Sequence, residues 1–297
     1  MNAVAAKSRV ALSNILFATD FSPTAESALP YAIGLAKQYG GKVHGVHVRF
    51  PATYPIVGPE AMPQVLEAAE EQAKFEAKQM HEMLATVSHD VTIIEGDLWP
   101  ILNEIVEQQK VDLIVMGTHG RKGVSRALLG SAAEEIFRKA PCPVLTVGPR
   151  VSQNTERRLA MKQILFATDF SPESLAALPF AVSLAQEHQS NLTLLNVTGK
   201  AEVGELVHAG QYAESTLRRL QALVPAGAEL WCEPKCRVEQ GSEAEKIMEV
   251  SIALGADLIV LGVRAPQGGV GATTHLLGSI AHEVVVNAQC PVLTVRA

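Results

Sequence analysis

The chain has 297 residues, 47% hydrophobic and 19% charged, enough apolar surface to build ordinary cores and too much for a disordered chain. A formal net charge of −6 argues against a general nucleic-acid role, which calls for a basic surface, and no apolar run approaches membrane-spanning length. Four cysteines and a leading segment that does not read as a signal peptide disfavour a disulfide framework and make the cytoplasm the expected compartment.

Residues 14–18, NILFA, read as a short apolar strand closed by Thr19, Asp20 and Phe21. Ser22 suits a helix N-cap with Pro23 in the first helical position. That helix is expected to reach Tyr39, with Leu29, Ile33, Leu35 and Ala36 on its apolar face and Gly40-Gly41 as its stop. A second strand follows over 42–48. A Pro- and Gly-bearing connection, 50–63, leads to a long polar-faced helix over about 64–86 and a third strand over 91–95. A helix over about 98–109, a strand over 112–116, a helix over 132–140 and a strand over 143–147 complete the unit. Strands alternating with helices predict a parallel sheet covered on both faces, wound in the right-handed sense.

The unit is present twice. The string ILFATDFSP at 15–23 recurs letter for letter at 164–172, and DLIV, LLGS and CPVLTV recur in the same order at 112, 128 and 142 and at 257, 276 and 290. So long a period means duplicated domains, with expected bounds 1–150 and 151–297, and not a solenoid. The last strand of each copy presents an apolar edge, which invites pairing with another such edge. A tandem chain satisfies that pairing internally, giving a pseudo-dimer within one chain, and a further homodimer stays open.

The most informative stretch is GTHGRKGVSRALLGS, 117–131, running from the fourth strand into the fourth helix. Glycine at the strand end and again at the helix start lets backbone N–H groups approach an anion without obstruction by Cβ. In open parallel sheets ligands sit beyond the carboxyl ends of the strands, where strand order reverses. Strand order is not legible here. If strands one and four are neighbours, one crevice gains the Asp20 carboxylate on one wall and a phosphate cradle on the other.

These residues resemble the universal stress protein family, over essentially the whole chain and twice. The ATP-binding members of that family carry G-x2-G-x9-G-[ST], matched by Gly117, Gly120, Gly130 and Ser131. Asp20 matches the family's early aspartate. The resemblance implies two doubly wound five-stranded α/β sheets of order 3-2-1-4-5. It also implies that Ala18, Thr19 and Asp20 line the adenine and ribose end and that Val46 meets the base. Met116, Gly117, His119 and Gly120 would pass beneath ribose and phosphates, with Arg121 in reach of the triphosphate. Gly130, Ser131 and Ala132 would hold the β- and γ-phosphates.

The second copy keeps Asp169, Gly262, Gly278 and Ser279, but Ala265 stands at the second glycine position and the loop is three residues longer. It also lacks counterparts of Arg121, Lys122 and Arg126. Nucleotide is therefore expected in the first copy and little or none in the second.

Other candidates are weaker. His44 and His47 are three apart on a strand and so point to opposite faces, which disfavours a shared metal. Cys232 and Cys236 have no second pair nearby, Cys142 and Cys290 read as buried, and the partial dinucleotide fingerprint after Gly269 follows the wrong strand. The expected function is an ATP-binding stress-response regulator whose nucleotide state alters conformation or partners. The alternatives are slow ATP hydrolysis or phosphoryl transfer with Mg²⁺, and a scaffold that binds no nucleotide.

Overall fold

The computed structural model describes residues 10–50, 60, 62–119, 129–151, 161–199, 209–228, 232–264 and 279–296. In the first copy the order is β1 (Asn14–Ala18), α1 (Pro23–Glu26), α2 (Leu29–Tyr39), β2 (Lys42–Arg49), α3 (Met62–Leu84), β3 (His89–Glu95), α4 (Leu98–Gln108), β4 (Leu113–Gly117), α5 (Ser131–Lys139) and β5 (Val144–Val147). The second repeats it as β6 (Gln163–Ala167), α6 (Pro172–Ala176), α7 (Leu178–His188), β7 (Asn191–Thr198), α8 (Ala209–Leu223), β8 (Lys235–Gln240), α9 (Glu243–Leu254), β9 (Leu258–Val263), α10 (Ile280–Asn287) and β10 (Val292–Arg296).

The single helix expected over 23–39 is two helices. Pro30 has no N–H for the carbonyl four residues back, and its ring crowds that carbonyl, so α1 stops at Glu26 and α2 starts afresh. Tyr31 donates to Ala28 O, and Gly40, at φ 64, closes α2 in the left-handed conformation. Pro179 separates α6 from α7 in the same way.

Within each copy all strands are parallel, in the orders β3-β2-β1-β4-β5 and β8-β7-β6-β9-β10. The two sheets are not separate. β5 and β10 pair antiparallel, fusing them into one sheet of ten strands. The pairing sets Val144 against Thr294, Leu145 against Leu293 and Thr146 against Val292. The Thr146 hydroxyl donates to Val292 O at 3.1 Å and the Thr294 hydroxyl to Val144 O at 3.3 Å, the same bond made twice about a pseudo-two-fold axis. Arginines cross the junction as well. Arg296 donates to Phe137 O near the end of α5, and Arg150 donates to Asn287 O at 3.1 Å, at the end of α10. Cations at helix C-termini complement the partial negative charge there.

Each face of the sheet has its own core. Ile15 and Phe17 lie with α2 and the inner half of α3 on one face, while Leu16, Ile114 and Met116 lie with α4 and α5 on the other. Both cores contain residues of both copies, so the junction is continuous hydrophobic interior. Among the described residues no helix is long and apolar enough to cross a membrane.

Candidate functional site

Strand order reverses between β1 and β4, and there the structure opens a cavity of about 690 Å³. Its floor is a row across three strands. Ala18 at the end of β1 is in register with Val46 of β2 on one side and with Met116 of β4 on the other. Thr19, Asp20, Gly117, His119, Gly130, Ser131 and Ala132 line the same space. Of the residues singled out in the first copy, Gly120, Arg121, Lys122 and Arg126 lie outside the described residues.

A tight turn positions Asp20. The Thr19 hydroxyl accepts from the Phe21 amide at 3.0 Å and Asp20 Oδ1 from the Ser22 amide at 3.0 Å, while Phe21 is held at φ 59. A left-handed phenylalanine costs about 1 kcal/mol or more, and the hydrogen bonds on either side hold it there. His47 closes the turn from β2. Its Nδ1 lies 2.8 Å from Thr19 O; a carbonyl only accepts, so Nδ1 carries the proton. The second copy builds the same turn with Phe170 at φ 63, and Asn196 donates to Thr168 O at 2.7 Å in place of the histidine.

Gly117 has a packing reason beside any ligand reason. A Cβ there would lie 2.7 Å from Thr24 O and 2.9 Å from Ala25 Cα, so the glycine lets α1 close down on the end of β4. Gly262 meets the backbone of Glu173 and Ser174 in the same manner.

The start of α5 forms the opposite wall. Gly130 is its N-cap, extended at φ −63 and ψ 148, with no side chain to bond the first free amides of the helix. Ser131 and Ala132 are exposed toward the cavity, so uncapped N–H groups and the positive end of the helix dipole border it. At the matching place in the second copy the cap has shifted by one residue. Ser279 is itself the N-cap of α10, and its hydroxyl accepts from the His282 amide at 3.2 Å.

The second cavity is smaller, about 130 Å³, and carries three carboxylates, Asp169, Glu173 and Glu243, against Arg264. Thr24 and Leu98 occupy the positions of Glu173 and Glu243 in the first copy. Burial acts to raise the Asp169 carboxyl, but hydrogen bonds from the Ser171 hydroxyl and amide outweigh it and leave the group below the usual range. Gly262 lines this cavity, while Gly278 and Ala265 lie outside the described residues.

The model of the universal stress protein family matches residues 12–148 and again 161–296. The chain belongs to the universal stress protein family. A universal stress protein of Mycolicibacterium smegmatis is 28% identical over 293 residues, 95% of this chain and 96% of its own, so both copies have counterparts in one relative. One from Methanocaldococcus jannaschii is 34% identical over 137 residues, 45% of this chain and 80% of its own. The crystal structure of a universal stress protein from Archaeoglobus fulgidus covers 97% of each chain with a TM-score of 0.70 and 21% identity, a likeness of fold.

This universal stress protein lines its first cavity with further residues that sequence reasoning missed: His47, Arg49 and Phe50 at the end of β2, Gln72 and Glu76 on α3, and Leu98, Leu102 and Ile136 on α4 and α5. The signal for Glu76 was hidden because α3 is polar almost all round. The single buried stripe of Glu76, Met80 and Leu84 includes a charge where an apolar residue is the usual occupant.

Proposed function

We propose that this universal stress protein binds one adenine nucleotide, ATP, in the first cavity, and acts as a nucleotide-dependent regulator of the stress response. The observation that carries the reading is the contrast between the two terminal helices. α5 meets a large cavity with its first amides uncapped, whereas α10 spends its own serine on one of its first amides, that of His282, beside a small, acidic cavity. An anion is favoured at the first and opposed at the second. The first cavity lies within the range of about 300–1,000 Å³ typical of small-molecule sites, and its floor of Val46, Ala18 and Met116 offers an apolar bed for a planar base.

In this reading the triphosphate lies against Gly130, Ser131 and Ala132, the ribose near Asp20, and the base over Ala18 toward Val46. Conformational readout runs through α5. Its far end accepts from Arg296 of the second copy, so a ligand held at Ser131 draws on a helix anchored in the other half of the chain.

Freshly purified protein, heated and analysed by mass spectrometry, is expected to release an adenine nucleotide or, if stripped in purification, to gain thermal stability with ATP. Recovery of none, together with no thermal shift at millimolar ATP, would overturn the proposal in favour of a scaffold. Hydrolysis at rates of dedicated ATPases, abolished by Gly130→Asp, would make the protein an enzyme instead.

A further inference from the structure

The wall of the first cavity remote from α5 holds a buried carboxylate that the nucleotide reading has not used. Glu76 is 5% exposed, yet lines the cavity from α3. Its Oε1 accepts from Gln72 Nε2 at 3.0 Å. Its Oε2 accepts no hydrogen bond among the described residues. Among the described residues the closest cation is Arg49, whose Nε stands 3.9 Å from Oε2, too far for a hydrogen bond, and whose Nη1 is committed to Ala69 O at 2.9 Å. A carboxylate oxygen withdrawn from water without a donor is unfavourable, and a ligand that supplies the donor relieves it.

We propose that Glu76, steadied by Gln72 and flanked by Arg49, is a base-reading subsite that selects nucleotides whose purine ring carries an exocyclic amino group. The inference rests on the nucleotide reading above and adds what the far end of the cavity demands of the ligand. α5 begins on the β4 side, and Glu76 belongs to the crossover that leaves β2. Those strands are two spacings apart, about 10 Å across the sheet. A nucleotide with its phosphates at Ser131 therefore spans β1 and carries its base to the β2 side.

An ionised carboxylate only accepts, so it rewards an amino group and opposes a ring carbonyl or a phosphate. The same charge enforces orientation, since a polyphosphate is repelled from this end and drawn to the other. The second copy lacks the device. The buried stripe of α8 carries Thr216 and Leu220, Thr198 stands where β2 has Arg49, and no described residue of α8 lines the second cavity.

The test compares ATP, GTP and purine riboside 5′-triphosphate, which lacks any exocyclic group, by calorimetry on the full chain and on Glu76→Gln. Wild type is expected to bind ATP at least about tenfold more tightly than the purine riboside triphosphate, the worth of a hydrogen bond to a charged group, and Glu76→Gln to shrink that ratio to about threefold or less. Glu76→Asp, which withdraws the carboxylate by one methylene, replaces the glutamine variant if the latter does not fold. A GTP affinity above that of ATP with the same dependence on Glu76 supports the subsite and reassigns the base. Equal affinities in wild type, or an unchanged ratio in the variant, overturn the subsite and leave nucleotide binding standing. Absence of ATP and GTP binding in wild type removes both.

Discussion

Leu145 and Leu293 face one another across the antiparallel β5–β10 junction, and they are the same position in the two copies. Self-pairing of one residue marks a two-fold axis, and here it passes through a covalently continuous chain. Each leucine is 2–3% exposed, so the junction is core and not rim. The linker has turned an association between like domains into an intramolecular one.

A chain ending at Arg150 presents β5 as a bare apolar edge with the same self-complementary register. It is expected to dimerise with Leu145 opposite its symmetry mate, and Leu145→Lys to give monomer or aggregate. Light scattering after size exclusion distinguishes these. A stable, soluble wild-type monomer of the first copy would show that the β5–β10 pairing depends on the tether.

Gly117→Ala places a methyl group against the Thr24 carbonyl and the Ala25 backbone, neither of which can rotate away. The expected loss is about 1–3 kcal/mol in denaturant unfolding, with α1 and the Asp20 turn displaced. An unchanged midpoint would mean that α1 is free to shift outward and that the glycine answers to ligand alone.

Two histidines set a pH dependence of stability. Burial lowers His44, against the opposing pull of Asp90, and burial lowers His188. The unfolded chain takes up these protons near the ordinary value of 6.5, the folded chain only at lower pH, so the unfolded form binds more protons in the window below 6.5. Stability is therefore full above that value and declines as pH falls through it. Thermal melts between pH 8 and pH 5 should show this decline, with a shallower slope in His44→Gln.

Cysteine reactivity should divide by depth. Burial pushes Cys142 and Cys290 up to about 12, while Cys232 and Cys236 are raised without being pushed so far. Thiolate is the reactive form, so alkylation at pH 8 should label Cys232 and Cys236 first and reach the other pair only on unfolding. Mass spectrometry of tryptic peptides checks the order. Early labelling of Cys290 would contradict its buried position.

Much of this was legible in the residues. The repeat fixed the tandem fold and the alternation of apolar runs fixed the parallel sheet, and Gly117, Gly130 and Ser131 line one cavity with Asp20. What escaped was set by neighbours distant in sequence. Pro30 looked harmless inside a long apolar pattern until its missing N–H split the helix. Gly117 read as clearance for an anion, and the backbone of Thr24 proves to need the same space. Glu76 was invisible because a charge on a polar helix reads as solvated face, and only the closure of α3 over the end of β2 buries it. The difference between Gly130 and Ser279 as caps, though both copies carry Gly-Ser at that point, is a shift of one residue that no pattern encodes.

In the proposed reading each chain binds one nucleotide, held where α5 begins. Gly130→Asp supplies α5 with a carboxylate cap at a backbone geometry open to any residue, so the fold should hold or gain about a few tenths of a kcal/mol while the phosphates lose their place. Calorimetric titration of the full chain with ATP should give a stoichiometry of one, and an affinity at least about tenfold weaker in Gly130→Asp at unchanged melting temperature. A stoichiometry of two, or Gly130→Asp binding as wild type does, would contradict the account.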